Sequence, residues 1–396
     1  MEKLDIFIKG FKASSIAAGL KKNKTADMAL IYSEREAVAA GVFTTNKVKA
    51  APVLLSMEHV IKGRARAIIA NAGNANACTG SEGIRNAGLT AELTARELGI
   101  KPEDVLIAST GVIGAQLDMD KVGNAIPGLV NGLSYDNLPL AAEAIMTTDS
   151  FPKISLFEGE AEGAPYRILG IAKGAGMIMP NMATMLSFIL TDINIDAGKL
   201  KKALSFSVER SFNRLTVDGD TSTNDTVLIM ANGMAANSTL NTNDYEGFTK
   251  GLQQVMNDLA TMIVKDGEGA TKLVFINVKG AASEKDAMTA AKNVANSYLV
   301  KTAFYGQDPN WGRIMAALGR SGIVMEEKDI SIRIDDVNIV AGGLAIGPDQ
   351  EKMAAERMKN RSFSLTIDLN IGSHEYSVST CDLTHEYVSI NANYRT

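Results

Sequence analysis

The chain has 396 residues, of which 46% are hydrophobic and 21% are charged, and its formal net charge is -5. This is the composition of a globular protein long enough for two or three domains with sizeable cores. The sequence lacks basic blocks, which argues against nucleic acid as a partner. It also lacks an apolar run of ~18 residues, which argues against a transmembrane helix.

The rarer residue types narrow the class of protein further. The start, MEKLDIFIKGFKASS, lacks the apolar core of a secretory signal. The two cysteines, Cys78 and Cys381, make neither a disulfide framework nor a metal cluster, so we expect a reducing, cytoplasmic location. The three histidines, His59, His374 and His385, show no zinc-ligand spacing, so the sequence predicts no metal site and disfavours a Ser-His-Asp catalyst.

The first half of the chain alternates strand-like and helix-like segments. Short apolar runs predict strands at 29–32, 39–43, 67–70 and 105–108. The loop NAGNANACTG (71–80) precedes a helix that Ser81 suits as N-cap, so the loop either holds an anion there or makes a tight packing turn. We interpret Cys78 in this loop as a small buried residue rather than a reactive thiol. The loop STGVIG (109–114) is either a polar cradle or a plain strand-to-helix turn.

The remaining elements point to mixed sheets. Pro139 suits the first turn of a helix at 140–146. Apolar periodicity then predicts strands at 185–190, 226–230 and 273–278, a helix at 197–212 and a long amphipathic helix across 245–262. Beyond Lys328 we predict two hairpins, ISIRI with VNIV around Asp335–Asp336 and FSLTIDLNI with EYSVS around 372–374; His374 and His385 fall in strand-like segments. The pattern indicates an α/β or α+β fold.

One stretch, KGAGMIMPNMATMLSFILTD (173–192), carries a possible catalytic group. Its KGAG start is not a phosphate loop, because no Gly-Lys-Ser/Thr follows at the required spacing. Thr184 has no histidine nearby, and no lysine nearer than Lys173, to activate its hydroxyl. If the chain were cut before Thr184, its own α-amino group, with a pKa of about 7.7–8.0 in model peptides, would be the neighbouring base. Small Ala183 and the glycine-rich loop suit such self-cleavage; an ordinary strand threonine is the alternative.

The same stretch resembles the processing site of the ornithine acetyltransferase family of arginine biosynthesis. Seven further segments resemble that family's signatures in its order: GVFTTNKVKAAPV, NAGNANACTG, ASTGVIG, IMTTDSFPK, DGEGATK, FYGQDPNWGRI and NANYRT. Together they extend over essentially the whole chain. The resemblance implies an α/β (α+β) sandwich of stacked mixed sheets flanked by helices. We interpret Trp311, in FYGQDPNWGRI, as a structural anchor.

The resemblance also implies a set of site residues. Cleavage of the Ala183–Thr184 bond would give an α chain of residues 1–183 and a β chain of residues 184–396. Thr184 would be the nucleophile that carries the acetyl group, and Thr110 and Gly111 would form the oxyanion hole. Substrate contacts would fall on Thr147, Lys173, Thr184, Glu268, Asn391 and Thr396. In the Thr147–Thr148 doublet we prefer Thr147.

The implied activity is ping-pong transfer of an acetyl group from N2-acetyl-L-ornithine to L-glutamate. No cofactor is implied; bifunctional members of the family also use acetyl-CoA as donor, and the sequence leaves that open. The implied partners are the chain's own α and β products, assembled as α2β2. Two rivals are a self-processing aminopeptidase or amidase of related fold, in which water attacks the acyl-enzyme, and an uncleaved, non-catalytic binding protein.

Overall fold

The protein is described by a computed structural model over residues 6–179, 185–238 and 240–392. The chain divides into two compact units, Met1–Asn213 with Asp220–Ile263, and Arg214–Gly219 with Val264–Thr396. Each unit contains one mixed β-sheet with helices packed on it. Within the described ranges, no helix is both long enough and apolar enough to cross a membrane.

The bounds of the elements are as follows. The strands are β1 (Phe11–Ile16), β2 (Met28–Phe43), β3 (Arg64–Asn74), β4 (Val105–Val112), β5 (Lys153–Ala161), β6 (Ala164–Lys173), β7 (Leu186–Thr191), β8 (Leu215–Thr216), β9 (Thr226–Ala231), β10 (Leu273–Ala281), β11 (Ser331–Ile334), β12 (Val337–Ala341), β13 (Leu344–Ala345), β14 (Ser362–Asp368) and β15 (His374–Cys381). The helices are α1 (Ala51–Val60), α2 (Gly80–Leu98), α3 (Met119–Asn131), α4 (Leu138–Ala144), α5 (Ala197–Glu209), α6 (Thr242–Lys265), α7 (Glu284–Ala295), α8 (Tyr298–Tyr305), α9 (Trp311–Gly319), α10 (Pro348–Met358) and α11 (His385–Ala392).

The first unit is built on an eight-stranded sheet in the order β4-β3-β2-β9-β7-β6-β5, with β1 also paired to β2. Both faces of this sheet are buried. Ile68 and Ala70 of β3 enter a core that includes α4, whereas Ala67 and Ile69 enter a second core with α2 and α3. Because alternate side chains point to opposite faces, a strand covered on both sides reads as a continuous apolar run. This is why the sequence reveals 67–70 as a strand.

The first four residues of each of two predicted loops in this unit continue a strand. β3 extends to Asn74 and β4 to Val112, because Asn71–Asn74 and Ser109–Val112 pair with each other in a parallel ladder. The following helix, α2, has Thr79 as its N-cap residue, so the expectation for Ser81 was wrong. The Thr79 hydroxyl donates to Asn76 Oδ1 (2.8 Å), which ties it to the loop that precedes the helix.

The second unit contains a seven-stranded sheet in the order β13-β12-β11-β14-β10-β15-β8. The predicted hairpin of β11 and β12 is confirmed, but that of β14 and β15 was wrong. β10 lies between those two strands, parallel to β14 and antiparallel to β15. Alternation along a strand shows which of its faces is buried, but it does not show which other strand lies beside it. His385 begins a helix rather than lying in a strand.

Trp311 is partly buried against the core of the second unit. Its indole Nε1 donates to Glu351 Oε1 of α10 at 3.0 Å. A large apolar ring with one satisfied polar atom is a typical structural anchor. The structural interpretation of this residue is therefore confirmed.

Candidate active site

Lys173 contacts two other predicted site residues of the first unit, Thr110 and Thr147. It is the last residue of β6 and is only 4% exposed. Its Nζ donates to Thr147 Oγ1 at 2.8 Å and to Thr110 Oγ1 at 3.2 Å. A hydroxyl that accepts from an ammonium is able to turn its own proton toward another acceptor. The arrangement thus combines a buried cation with two hydroxyls from distant parts of the chain.

Thr110 lies on β4 and is held in place by amide side chains. Asn71 Oδ1 accepts from the Ser109 hydroxyl at 2.6 Å. Asn224 Nδ2 donates to the carbonyl oxygens of Ser109 (2.8 Å) and Ala75 (2.6 Å). These buried bonds fix the backbone on the N-terminal side of Thr110. Asn71 stands in a quoted motif, but neither amide was identified from the sequence.

Gly111 occupies a position that only glycine fits. Its φ is +132°, and a Cβ would lie 2.3 Å from the carbonyl carbon of Gly73 and 2.5 Å from the Asn74 nitrogen. The register between β3 and β4 shifts at this point. The backbones of two strands therefore approach each other closely where the oxyanion hole is predicted.

Asp149 is a buried carboxylate beneath this cluster. Its Oδ1 accepts from Lys153 Nζ (2.7 Å) and the Gly174 amide (2.6 Å), and its Oδ2 from the Thr147 amide (2.9 Å). Burial acts to raise the pKa of Asp149, but the ammonium groups of Lys173 and Lys153, with these hydrogen bonds, prevail and lower it to about 2. Asp149 belongs to the segment IMTTDSFPK but was not identified from the sequence.

Asp225 is a second buried carboxyl, directly before β9. Its Oδ1 accepts from the amide of Met185, the residue that follows Thr184 in the sequence, at 3.0 Å. Its Oδ2 is buried and has no hydrogen-bond partner in the part of the chain that the structure describes. Burial raises the pKa of Asp225 well above its ordinary value, and the Met185 amide and the Lys173 ammonium only partly oppose this. The surroundings of Asp225 therefore favour the protonated form of its carboxyl.

The second unit brings together two further predicted residues. Glu268, 7% exposed, accepts at Oε2 from Asn391 Nδ2 of α11 at 2.8 Å. The loop after Glu268 is held by side chains that follow β15. Asp382 Oδ1 accepts from the amides of Thr271 (2.8 Å) and Lys272 (2.9 Å), and the Thr384 hydroxyl donates to the Gly269 carbonyl at 2.9 Å. The Glu268 carboxylate, held in place by these contacts, can bind a substrate ammonium.

Several predictions fall elsewhere. Ala183, Thr184 and Thr396 lie outside the described residues. The expectation that Cys78 is buried was wrong, because its φ of +57° turns an exposed thiol out of the loop. Within the described ranges, no group of three or more His, Cys, Asp or Glu side chains is arranged to hold a metal ion.

Comparison with known proteins identifies the family. The sequence profile of the ArgJ family matches residues 12–396. The chain belongs to the ArgJ family. It is 51% identical over 392 residues to the arginine biosynthesis bifunctional protein ArgJ of Geobacter sulfurreducens, covering 98% of this chain and 100% of that relative. The protein of the same name from Desulfotalea psychrophila is 50% identical over 390 residues, covering 98% and 99% of the two chains.

A solved structure agrees with this membership. The crystal structure of the arginine biosynthesis bifunctional protein ArgJ of Bacillus halodurans is 46% identical, with a TM-score of 0.51. It covers 53% of this chain and 100% of that chain. Membership of the ArgJ family confirms the resemblance, the expectation of an acetyltransferase enzyme of arginine biosynthesis, and the mixed α/β class with helices flanking mixed sheets.

Proposed function

We propose that this member of the ArgJ family transfers an acetyl group from N2-acetyl-L-ornithine to L-glutamate through an acetyl ester on Thr184. The observation that carries the proposal is the contact of Lys173 Nζ with Thr110 and Thr147, 3.2 and 2.8 Å away. These residues stand in three separate motifs, and each was assigned to the site from the family resemblance. Their convergence on one buried ammonium is what a shared catalytic role requires.

In the first half-reaction the Thr184 hydroxyl attacks the acetyl carbon of acetylornithine. The α-amino group of Thr184, freed by cleavage, takes the hydroxyl proton and passes it to the leaving ornithine amine. The carbon–oxygen bond of the ester forms as the amide carbon–nitrogen bond breaks. In the second half-reaction the amine of glutamate attacks the ester, and the proton returns to the Thr184 oxygen.

Thr110 and Gly111 are assigned to the developing negative charge on the acetyl oxygen. The Thr110 hydroxyl accepts from Lys173, and this contact orients its own proton away from the ammonium. Donors fixed in advance in a buried site stabilise the transition state without reorganisation. We assign Lys173 and Glu268 to the carboxylate and the ammonium of the amino-acid substrates, with Thr147, Asn391 and Thr396 as further contacts.

Cleavage between Ala183 and Thr184 is part of the proposal. The Bacillus halodurans chain is matched over its whole length by 53% of this chain. A fragment of about half the chain is what a cut near residue 183 of 396 leaves on either side. The correspondence supports two separate polypeptides, an α chain of residues 1–183 and a β chain of residues 184–396.

Intact-mass analysis of the purified protein tests the cleavage. We expect two chains, with the β chain beginning at Thr184. Thr184→Ala should remain a single chain and lack transfer, because the same hydroxyl performs both reactions, whereas Thr184→Ser should be cleaved. A cleaved alanine variant, or a β chain with another first residue, would show that Thr184 is not the nucleophile.

The order of product release tests the ping-pong scheme. Acetylornithine alone should add one acetyl group to the first residue of the β chain and release ornithine, and initial rates should give parallel double-reciprocal lines. Intersecting lines, with no acetyl group on Thr184 after rapid quenching, would indicate direct transfer instead. Release of acetate in the absence of glutamate would favour the aminopeptidase or amidase alternative.

Use of acetyl-CoA as a second acetyl donor is a further proposal. The relatives from Geobacter sulfurreducens and Desulfotalea psychrophila are both named bifunctional. We expect the purified protein to form N-acetylglutamate from acetyl-CoA and glutamate without acetylornithine. Absence of this product, with transfer from acetylornithine intact, would make the protein monofunctional. The cytoplasmic location and the α2β2 assembly stay predictions.

A further inference from the structure

Asp149 accepts hydrogen bonds from the backbones of two segments, one that contains Thr147 and one that contains Lys173. Its Oδ2 accepts from the Thr147 amide at 2.9 Å, and its Oδ1 from the Gly174 amide at 2.6 Å. Gly174 directly follows Lys173, so one carboxylate holds the main chain at both of these assigned substrate contacts. The side chains of the same residues meet above it, with Lys173 Nζ 2.8 Å from Thr147 Oγ1.

This carboxylate is fully enclosed and ionised. The side chains of Asp149 and Lys153 are both 0% exposed and lie 2.7 Å apart. The Lys173 ammonium attracts the same carboxylate, which is one reason that the pKa of Asp149 lies at about 2. A carboxylate accepts at both oxygens, whereas an asparagine amide has one accepting oxygen. An asparagine at this position could therefore hold the Thr147 amide or the Gly174 amide, but not both.

We propose that Asp149 is a positioning residue for acetyl transfer, which aligns Thr147 and Lys173 so that both side chains engage the substrate together. The inference rests on the function proposed above. Lys173 is buried, so its side chain cannot swing through solvent to compensate for a shift of its backbone. A displacement of ~1 Å in a positioning group is enough to lower the rate by about 10²-fold.

The test must separate positioning from plain stabilisation. Asp149→Asn alone leaves the Lys153 ammonium buried without its carboxylate, which is expected to weaken the fold. The decisive variant is Asp149→Asn/Lys153→Met, which removes both charges while keeping side chains of similar length. One of the two backbone amides then loses its acceptor, and no charge of the pair stays uncompensated.

The chain offers a matched control toward the other end of β6, the strand that ends at Lys173. Asp192 is buried, and its Oδ1 accepts from the Arg167 amide of β6 at 2.8 Å. Arg167 lies six residues before Lys173, ~20 Å away at ~3.3 Å per residue. Asp192, which directly follows β7, therefore offers a buried carboxyl that holds a β6 amide, and Asp192→Asn alters it without altering the amides beside Thr147 and Lys173.

The experiment measures intact mass, the thermal midpoint and steady-state transfer from acetylornithine to glutamate for the wild type and both variants. We expect both variants to be cleaved, kcat/KM to fall about 10²-fold in Asp149→Asn/Lys153→Met, and kcat/KM in Asp192→Asn to stay within about threefold of wild type. The proposal is overturned if the double variant transfers acetyl like wild type, if it remains uncleaved, or if Asp192→Asn loses transfer equally. A wild-type protein without acetyl transfer would refute the proposed function itself, whatever Asp149 does.

Discussion

Two buried carboxyls of the first unit, Asp149 and Asp225, have pKa values shifted in opposite directions, because different groups surround each side chain. Asp149 accepts from two amides and an ammonium, and its pKa falls to about 2. Asp225 accepts from the Met185 amide, its Oδ2 has no hydrogen-bond partner among the described residues, and its pKa is raised well above the ordinary value because burial dominates. Burial alone favours the neutral acid, and close cations reverse that preference.

The raised pKa of Asp225 makes a prediction about stability and pH. Below the unfolded pKa of ~3.9 the carboxyl is protonated in both states. As pH rises, the unfolded state loses this proton first, so the wild type loses stability until the folded pKa is passed. Asp225→Asn, neutral and of the same shape, should therefore melt at a higher temperature than wild type at pH 8, and the difference should shrink toward pH 4. Thermal unfolding at several pH values measures this.

Asp149→Asn is a control for which the pH dependence of stability should have the opposite sign. Its lowered pKa stabilises the fold above the unfolded pKa, and that stabilisation is lost as pH falls toward about 2. Breaking the buried pair at neutral pH should cost about 3–5 kcal/mol. Equal pH dependence in the two variants, or an Asp225→Asn protein that is less stable at pH 8, would contradict the opposite directions of their pKa shifts.

Thr110 supports a prediction about turnover. Thr110→Ala removes the hydroxyl that Lys173 orients, and losing one oxyanion donor typically costs ~10²–10³ in kcat. The KM for acetylornithine should change little, because the donor acts mainly when charge develops in the transition state. Thr110→Ser keeps the hydroxyl and should retain most activity. A normal kcat in fully cleaved Thr110→Ala would remove this residue from the mechanism.

At the scale of elements, the paired ends of β3 and β4 position the predicted oxyanion hole. Two glycines with positive φ lie close together there, in different surroundings. A Cβ on Gly111 would meet the backbone of Gly73 at 2.3 Å, whereas one on Gly114 would meet no atom of the described residues within 4 Å. The first requires glycine for close approach of two strands, and the second only for its φ of +87°.

Substitutions at these two glycines therefore allow the effect of steric crowding to be measured separately from that of backbone strain. Gly114→Ala should cost ~1–2 kcal/mol of folding stability and leave transfer near wild type. Gly111→Ala should lower the melting temperature further and abolish transfer, because β3 and β4 must move apart where Thr110 is held. Thermal unfolding and steady-state rates measure both effects. Similar behaviour of the two variants would show that the strand approach at Gly111 is unimportant.

At the scale of the whole molecule, the proposed cleavage falls inside one sheet. β6 lies before residue 184 and β7 after it, and they pair from Ile168 with Thr191 to Lys173 with Leu186. β2 and β9 likewise pair across the proposed division. The α and β chains would therefore share the eight-stranded sheet of the first unit and its buried cores. A cut connection between paired strands leaves their hydrogen bonds and packing in place.

We therefore expect the two chains to stay together after cleavage. They should co-elute in size-exclusion chromatography at neutral pH and in high salt, because apolar burial and backbone hydrogen bonds are not screened by ions. They should separate only in denaturant. Separation of the α and β chains under native conditions would contradict the sheet pairing across β6 and β7.

Some of this architecture was predictable from local pattern. The helix predicted at 197–212 forms and buries Leu200, Leu204 and Val208, which recur at helical spacing, although it ends at Glu209. The pairing of β10 between β14 and β15 was not predictable, because β10 lies about ninety residues earlier in the chain. Hydrophobic periodicity indicates whether each side chain is buried. Which strands pair with each other depends instead on contacts between distant segments of the chain.

The sequence by itself determined the family, through eight motifs in order, and hence the assigned positions from Thr110 to Thr396. It also determined the mixed α/β class, because hydrophobic period is a local property of the chain. The tertiary structure decided that Asp149 holds the amides of Thr147 and Gly174, and that Asn224 holds the backbone before Thr110. It also decided that Cys78 is exposed. These facts depend on where distant backbone groups and neighbouring loops come to lie, and only the folded packing of the chain determines that.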